Sequence, residues 1–171
     1  MSLKDVSLAF GGPSVLNGVS LSVSKGLRAA LTGRNGEGKS TLMKVMAGHL
    51  EPDSGEIVRA PGLRIAYVSQ EVPADRPGDS AFNALSGGRR RRSILESALL
   101  SRPDLLLLDE PSNYLDVPAV EWLQRFLHSY DGTLLIISHD RYLLRSLTRL
   151  TIEVDAGTIT RYAGDFVYYR R

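Results

Sequence analysis

Residues 33–40 constrain this chain most, because they read Gly-Arg-Asn-Gly-Glu-Gly-Lys-Ser between an apolar strand and a helix with one apolar side. The pattern G-x-x-x-x-G-K-S is typical of loops that hold the phosphates of a nucleoside triphosphate. Its glycines let backbone amides turn toward an anion, and the following helix adds unpaired N–H groups and a positive dipole end. Residues 28–32 supply the strand and residues 41–47 the helix. This order predicts a phosphate site at the head of a core helix.

Two side chains of this loop carry the expected chemistry. Lys39 would reach the β- and γ-phosphates, and Ser40 would hold Mg²⁺ through its hydroxyl. A Gly-rich turn without a ligand is the alternative, and the number of constrained positions argues against it. The nucleotide contacts predicted around this loop are Gly33, Asn35, Gly36, Gly38, Lys39, Ser40 and Thr41.

Bulk properties exclude several classes of protein. The 171 residues include no cysteine, which excludes a disulfide framework and a thiolate metal site. The longest apolar run, residues 105–108, is far too short to span a bilayer, and the N-terminus lacks the apolar core of a secretory signal. We therefore expect a cytoplasmic location. The net charge of +2 and the arginine run 89–92 permit a polyanionic partner, although such a run is more often a solvated helix face.

Apolar periodicity predicts the overall organisation of one domain over residues 1–171. Alternating residues near both ends indicate antiparallel strands, and strands alternate with helices between them. We therefore expect an α/β fold with a mostly parallel sheet flanked by helices and an antiparallel β subdomain at the N-terminus. With the phosphate loop at residues 33–40, this organisation resembles the P-loop NTPase (RecA-like) fold. Expected core strands are 28–32, 65–68, 105–108 and 133–137, expected helices are about 86–100, 117–127 and 140–147, and the closing hairpin is 151–161.

A second group of motifs adds carboxylates and a histidine. Asp109 and Glu110 follow the buried strand 105–108, and strand ends of this kind carry ligands in parallel sheets. Asp109 could join the Mg²⁺ shell, and Glu110 could polarise water near the γ-phosphate. The alternative, two solvated loop acids, is disfavoured by the phosphate loop. The segments 85–88 (Leu-Ser-Gly-Gly) and 138–140 (Ser-His-Asp) complete the group.

In order and kind, these motifs resemble the ATP-binding cassette (ABC) family over almost the whole chain. Residues 33–36, 109–116, 138–143 and 162–169 are similar to the ABC-F branch, whose members are soluble and ribosome-associated. The resemblance implies an Mg²⁺-dependent ATPase that binds ATP, with a ribosome or RNA as a possible partner. It also implies a second ABC cassette, arranged head to tail so that two ATP molecules lie between the pair.

The resemblance further implies individual roles. Glu110, His139 and Gln70 would be catalytic: Glu110 orients or deprotonates water, His139 contacts the γ-phosphate, and Gln70 senses Mg²⁺ and the attacking water. Phe10 would stack on adenine, with an ordinary core phenylalanine as the alternative. The remaining implied residues are Ser40, Gln70 and Asp109 for the metal, Ser86, Gly87 and Gly88 for the partner's ATP, and Asp116 for communication across the pair.

One departure from the family concerns residues 71–84. Only these fourteen residues separate Gln70 from Leu85, where the family places a helical subdomain, so we expect at most a loop there. Three functions remain open: a hydrolysing ABC-F cassette, an ATP-binding module with little or no catalysis, and a transporter motor subunit. Because the subdomain is missing, we expect residues 89–92 to be exposed. We also expect an apolar scar, meaning exposed apolar side chains that the subdomain would otherwise cover. Its candidates are Phe82, Leu85 and Ile94.

Overall fold

Two sheets organise the chain in the computed structural model, which describes residues 1–164. A three-stranded antiparallel sheet has the order β2-β1-β4, and a six-stranded sheet has the order β5-β6-β7-β3-β8-β9. The strands are β1 (Ser2–Ala9), β2 (Ser14–Ser22), β3 (Arg28–Thr32), β4 (Ser54–Val58), β5 (Ile65–Val68), β6 (Leu105–Asp109), β7 (Thr133–Ile137), β8 (Leu150–Asp155) and β9 (Thr158–Ala163). The helices are α1 (Lys39–Ala47), α2 (Ser80–Asn83), α3 (Gly87–Leu100), α4 (Val117–Ser129) and α5 (Arg141–Leu147).

The six-stranded sheet confirms the predicted α/β class. Strands β5, β6, β7, β3 and β8 pair in parallel, and β9 pairs antiparallel with β8 at the edge. Every residue of β6 and β7 is buried, as expected for central parallel strands whose two faces are both covered. The predicted closing hairpin therefore extends the main sheet. The last residues of the segment 162–169 lie outside the described residues.

Helix starts differ in how they are capped. The Asp116 carboxylate accepts a hydrogen bond from Ala119 N at 3.0 Å at the start of α4, and Asp140 accepts one from Leu143 N at 3.0 Å at the start of α5. In contrast, within residues 1–164 no side chain caps α1 or α3. The uncapped helices are therefore the two whose motifs predict contact with nucleotide. No helix in this described range has the length and apolar character needed to cross a bilayer.

Residues 71–84 fold more tightly than expected, because they contain the short helix α2. Asp79 caps α2 by accepting a hydrogen bond from Phe82 N at 2.9 Å, and Asn83 exchanges two hydrogen bonds with the backbone of Arg76. Phe82 is only 3% exposed, and the Arg76 guanidinium lies 4.0 Å from the centre of its ring. The predicted apolar scar is therefore wrong at Phe82, and Leu85 and Ile94 are half-buried.

Candidate active site

A cavity of about 300 Å³ lies where β3, β6 and β7 end, and it collects most of the predicted site residues. The phosphate loop follows β3, the acid pair ends β6, and His139 follows β7. Parallel sheets place ligands at this end of their strands. The cavity is lined by Asn35, Gly36, Gly38, Lys39, Ser40, Thr41, Gln70, Asp109, Glu110, Ile137 and His139.

The phosphate loop presents a cation and open amides. Lys39 Nζ donates hydrogen bonds to the carbonyl oxygens of Gly33 at 2.9 Å and Arg34 at 2.7 Å, so the lysine is held over the loop. Burial lowers the pKa of Lys39, and the charges of Asp109 and Glu110 oppose that shift. Because α1 lacks a side-chain cap in the described structure, its first amides remain available to an anion.

The one acid of the phosphate loop, Glu37, points away from the phosphate site. Its Oε2 accepts a hydrogen bond from Ala156 N at 2.6 Å, in the turn between β8 and β9. The carboxylate therefore fastens the loop to the edge hairpin. Its negative charge is directed toward a backbone donor and not into the cavity.

Glu110 and His139 lie together at the other side of the cavity. Glu110 Oε1 is 3.5 Å from His139 Nε2, and Glu110 Oε2 accepts a hydrogen bond from His139 N at 3.3 Å. Glu110 is buried, and burial raises its pKa, against the opposing effect of His139. A carboxylate with a raised pKa is a stronger proton acceptor at neutral pH than an exposed one. This pair is therefore suited to activating water.

The raised pKa of Glu110 predicts a pH-dependent stability difference. The folded chain holds the proton of Glu110 to higher pH than the unfolded chain, whose ordinary value is 4.5, so the free energy of unfolding falls as pH rises through that interval. Glu110→Gln removes this loss. Without nucleotide, the melting temperature of the variant should gain on that of the wild type as the pH is raised from 4.5 to neutral. A difference that stays constant across this range would contradict the assignment.

Six predicted residues lie outside this cavity: Phe10, Gly33, Ser86, Gly87, Gly88 and Asp116. Phe10 follows β1 and is 62% exposed, so the alternative of an ordinary core phenylalanine is wrong. Ser86 and Gly87 are exposed at the start of α3, and Asp116 caps α4. Gly33 also does not line the cavity, but its carbonyl holds Lys39.

Arg91 is the site residue that the sequence reasoning missed. The expectation of an exposed run over residues 89–92 is wrong at this position, because Arg91 is 0% exposed. Its guanidinium donates hydrogen bonds to the carbonyl oxygens of Ser69, Asp109, Glu110 and Pro111. Burial lowers the pKa of Arg91, and Asp109 and Glu110 oppose that shift. Helical spacing could have revealed it, because Arg91 lies four and eight residues before the buried Leu95 and Leu99.

The donor set fits an Mg²⁺-nucleotide. Ser40, Gln70 and Asp109 line one cavity beside Lys39, and each side chain carries oxygen of the kind that Mg²⁺ prefers. In residues 1–164 no three His, Asp or Glu side chains are grouped as a self-sufficient metal site. Magnesium commonly binds through one or two carboxylates together with substrate phosphates. The cation would therefore depend on the nucleotide for part of its coordination.

Sequence comparisons identify the family. The family model described as ABC transporter matches residues 16–78 and 63–113, which together cover more than half of the chain. The ATP-binding protein Uup of Caulobacter vibrioides is 40% identical over an alignment 188 residues long, gaps included. The alignment covers 94% of this chain and 31% of that protein. The energy-dependent translational throttle protein EttA of Mycobacterium tuberculosis is 29% identical over an alignment 238 residues long, gaps included. That alignment covers 98% of this chain and 43% of that protein. The chain thus spans less than half the length of these relatives.

Solved structures agree on the fold. The ATP-binding subunit of an ABC transporter superimposes with a TM-score of 0.82 at 21% identity, covering 95% of this chain and 89% of that one. A dimeric post-hydrolysis state of the ATP-binding cassette MJ0796, bound to ADP and Pi, gives 0.78 at 20% identity, covering 95% and 97%. With the family match and the cavity described above, these results show that the chain belongs to the ABC family of ATPase domains and confirm its resemblance to the ABC-F proteins.

Proposed function

We propose that this chain is the ATP-binding and ATP-hydrolysing cassette of an ABC-F protein. The observation that carries the proposal is one cavity that brings together Lys39, the acid pair Asp109 and Glu110, and His139. Phosphoryl transfer requires mainly positioning and charge stabilisation, and this arrangement supplies both.

Each part of the site has a defined task in that reaction. Lys39 and the open amides of α1 bind the phosphates, and Glu110 accepts a proton from the attacking water. His139 lies against Glu110 and orients that carboxylate while it contacts the γ-phosphate. Bound Mg²⁺ would supply positive charge to the phosphate oxygens, with Ser40, Asp109 and Gln70 as the residues that hold it.

We propose that hydrolysis needs a second cassette. Ser86 and Gly87 are exposed and lie outside the cavity of their own chain, which supports a role on the nucleotide of a partner. The dimeric form of the structural neighbour MJ0796 is a precedent for pairing. A single chain should then bind ATP and hydrolyse it poorly.

A role on the ribosome is the finer part of the proposal. It rests on similarity to EttA, which is named as a translational throttle protein, and on the sequence of residues 138–143, which resembles that of the ABC-F branch. Binding of the purified chain to ribosomes, measured by co-sedimentation at increasing salt, tests this part. A phosphate-contacting surface requires affinity to fall steeply with salt concentration.

Turnover as a function of protein concentration tests the central proposal. Phosphate release from Mg²⁺-ATP should rise more steeply than linearly with chain concentration, because each site is completed only when two chains pair. Lys39→Met should lose ATP binding by at least about tenfold, since it removes the charge held over the loop. Equal ATP affinity in both proteins would reject the assigned phosphate site.

A second function, nucleotide binding without hydrolysis, is favoured by one observation. Residues 71–84 contain only the four-residue helix α2 before the signature segment 85–88. The family match also divides into two pieces, residues 16–78 and 63–113, and the first piece ends inside this region. Tight ATP binding with no phosphate release at any chain concentration would establish this function instead.

Phe10 should contribute to adenine affinity. Its ring is exposed just beyond β1, where it is free to stack on a flat base. Phe10→Ala should weaken ATP binding by about fivefold or more, because base stacking on an aromatic ring contributes about 1–3 kcal/mol. Titration with a fluorescent ATP analogue measures the change. Exposed Tyr142→Ala is the matched control and should bind like the wild type.

A further inference from the structure

We propose that Arg91 is the positioning residue through which nucleotide binding is transmitted to the signature helix α3. The inference rests on the proposed ATP site, and it assigns a route between two surfaces of the same chain. One surface is the cavity that holds Gln70, Asp109 and Glu110. The other is the exposed start of α3, with Ser86 and Gly87.

The contacts of Arg91 join three segments that are distant in sequence. Nη1 donates to Ser69 O, directly before Gln70, and Nη2 donates to Asp109 O at 3.0 Å and Glu110 O at 2.7 Å. Nε donates to Pro111 O at 3.3 Å. A guanidinium is planar and rigid, so these carbonyls and the arginine are held in one fixed arrangement. Any shift of the metal-binding and water-activating residues therefore displaces the guanidinium.

A second contact carries that displacement toward the exposed helix start. A Cβ placed on Gly88 would lie 2.7 Å from Tyr114 O, so the first turn of α3 packs directly on the backbone of the loop after β6. Arg91 meets the same loop at Pro111 less than one turn later. Helix α3 is thus held against residues 110–114 at two levels. Movement of this loop cannot leave the helix start unchanged, because packed interiors transmit displacement.

The neighbouring arginines lack these contacts and provide an internal control. Arg92 Nε pairs with Glu96 at 2.8 Å on the solvent side of α3 and stacks over Trp122. Arg90 donates to Asn83 O at 2.6 Å, toward α2. Of these arginines, only Arg91 reaches the carbonyls behind the nucleotide cavity. The transmission route therefore predicts opposite results for two adjacent positions on one helix.

Hydrogen–deuterium exchange with a non-hydrolysable ATP analogue and Mg²⁺ tests the proposal. The measurement is made at a concentration where light scattering gives the mass of one chain, so a partner cannot protect α3. In the wild type, the analogue should slow exchange of residues 33–41 and, through Arg91, of residues 85–92 by at least about twofold. Arg91→Met should retain the first effect and lose the second, whereas Arg92→Met should retain both.

Conservative variants keep the test decisive. Arg91→Lys keeps the charge but loses the planar fork, so protection of residues 85–92 should fall between the wild type and Arg91→Met. If Arg91→Met does not fold, the comparison of Arg91→Lys with Arg92→Lys replaces it. The proposal is overturned if the analogue protects residues 33–41 but not 85–92 in the wild type, or if Arg91 variants show full protection. Absence of protection at residues 33–41 would instead reject the proposed ATP site.

Discussion

Glu110→Gln should reduce Mg²⁺-ATP hydrolysis by about two to three orders of magnitude, which is the usual contribution of a positioned general base. The amide keeps the shape of the side chain, and its oxygen can still accept the hydrogen bond from His139 N. It cannot take a proton from water at neutral pH. Affinity for ATP should therefore change little while phosphate release is nearly lost.

A matched substitution separates this effect from a general loss of charge. Glu71 is exposed one residue beyond Gln70 and does not line the cavity, so Glu71→Gln should hydrolyse ATP like the wild type. Phosphate release and analogue binding are measured in parallel for the three proteins. Equal turnover in Glu110→Gln and the wild type would reject Glu110 as the base.

Gly33→Ala should lower the free energy of unfolding by about 3 kcal/mol or more, as positive-φ strain and overpacking combine. Gly33 has φ +138°, and a Cβ there would lie 2.2 Å from Val154 O. That oxygen belongs to the backbone of β8, so a side-chain rotation cannot relieve the clash. Folded domains are stable by only about 5–15 kcal/mol, so this loss is a large share of the total.

Gly36→Ala is the control for that prediction. Gly36 also has a positive φ of +87°, but a Cβ there would meet no described atom within 4 Å. It should cost only about 1–2 kcal/mol, the strain of the backbone conformation alone. Urea unfolding of the three proteins without nucleotide measures both values. Equal losses of unfolding free energy in Gly33→Ala and Gly36→Ala would show that the close contact of residue 33 with β8 does not add to the cost.

Local patterns explain why most of the fold could be predicted. The strand–loop–helix unit at residues 28–47 and the buried strand ending in Asp109 are each contained in one short segment. In such segments, the apolar periodicity and the turn residues can be recognised from the local sequence alone. Their meeting at one cavity then follows from the rule that parallel sheets bind ligands at the carboxyl ends of their strands.

Arg91 and Phe82 could not be placed in this way. The four-arginine run was interpreted by residue type, but the burial of Arg91 depends on carbonyls from residues 69 and 109–111, which are close only in the folded chain. The Phe82 ring is covered by the Arg76 guanidinium and lies near that of Arg90. The local sequence around Phe82 does not predict either contact. In both cases a guanidinium contacts groups that only the tertiary structure brings near it.

The position of β3 in the sheet has a consequence for biosynthesis. Ala30 pairs with Ile136 on one side and with Thr151 on the other, so both neighbours of this strand leave the ribosome about a hundred residues after it. Until then its apolar residues have no strand to join. The phosphate loop follows directly, so a nascent chain cannot complete the triphosphate pocket before β7 and β8 have been translated. During that delay, the strand is a natural client for chaperones that cover apolar segments.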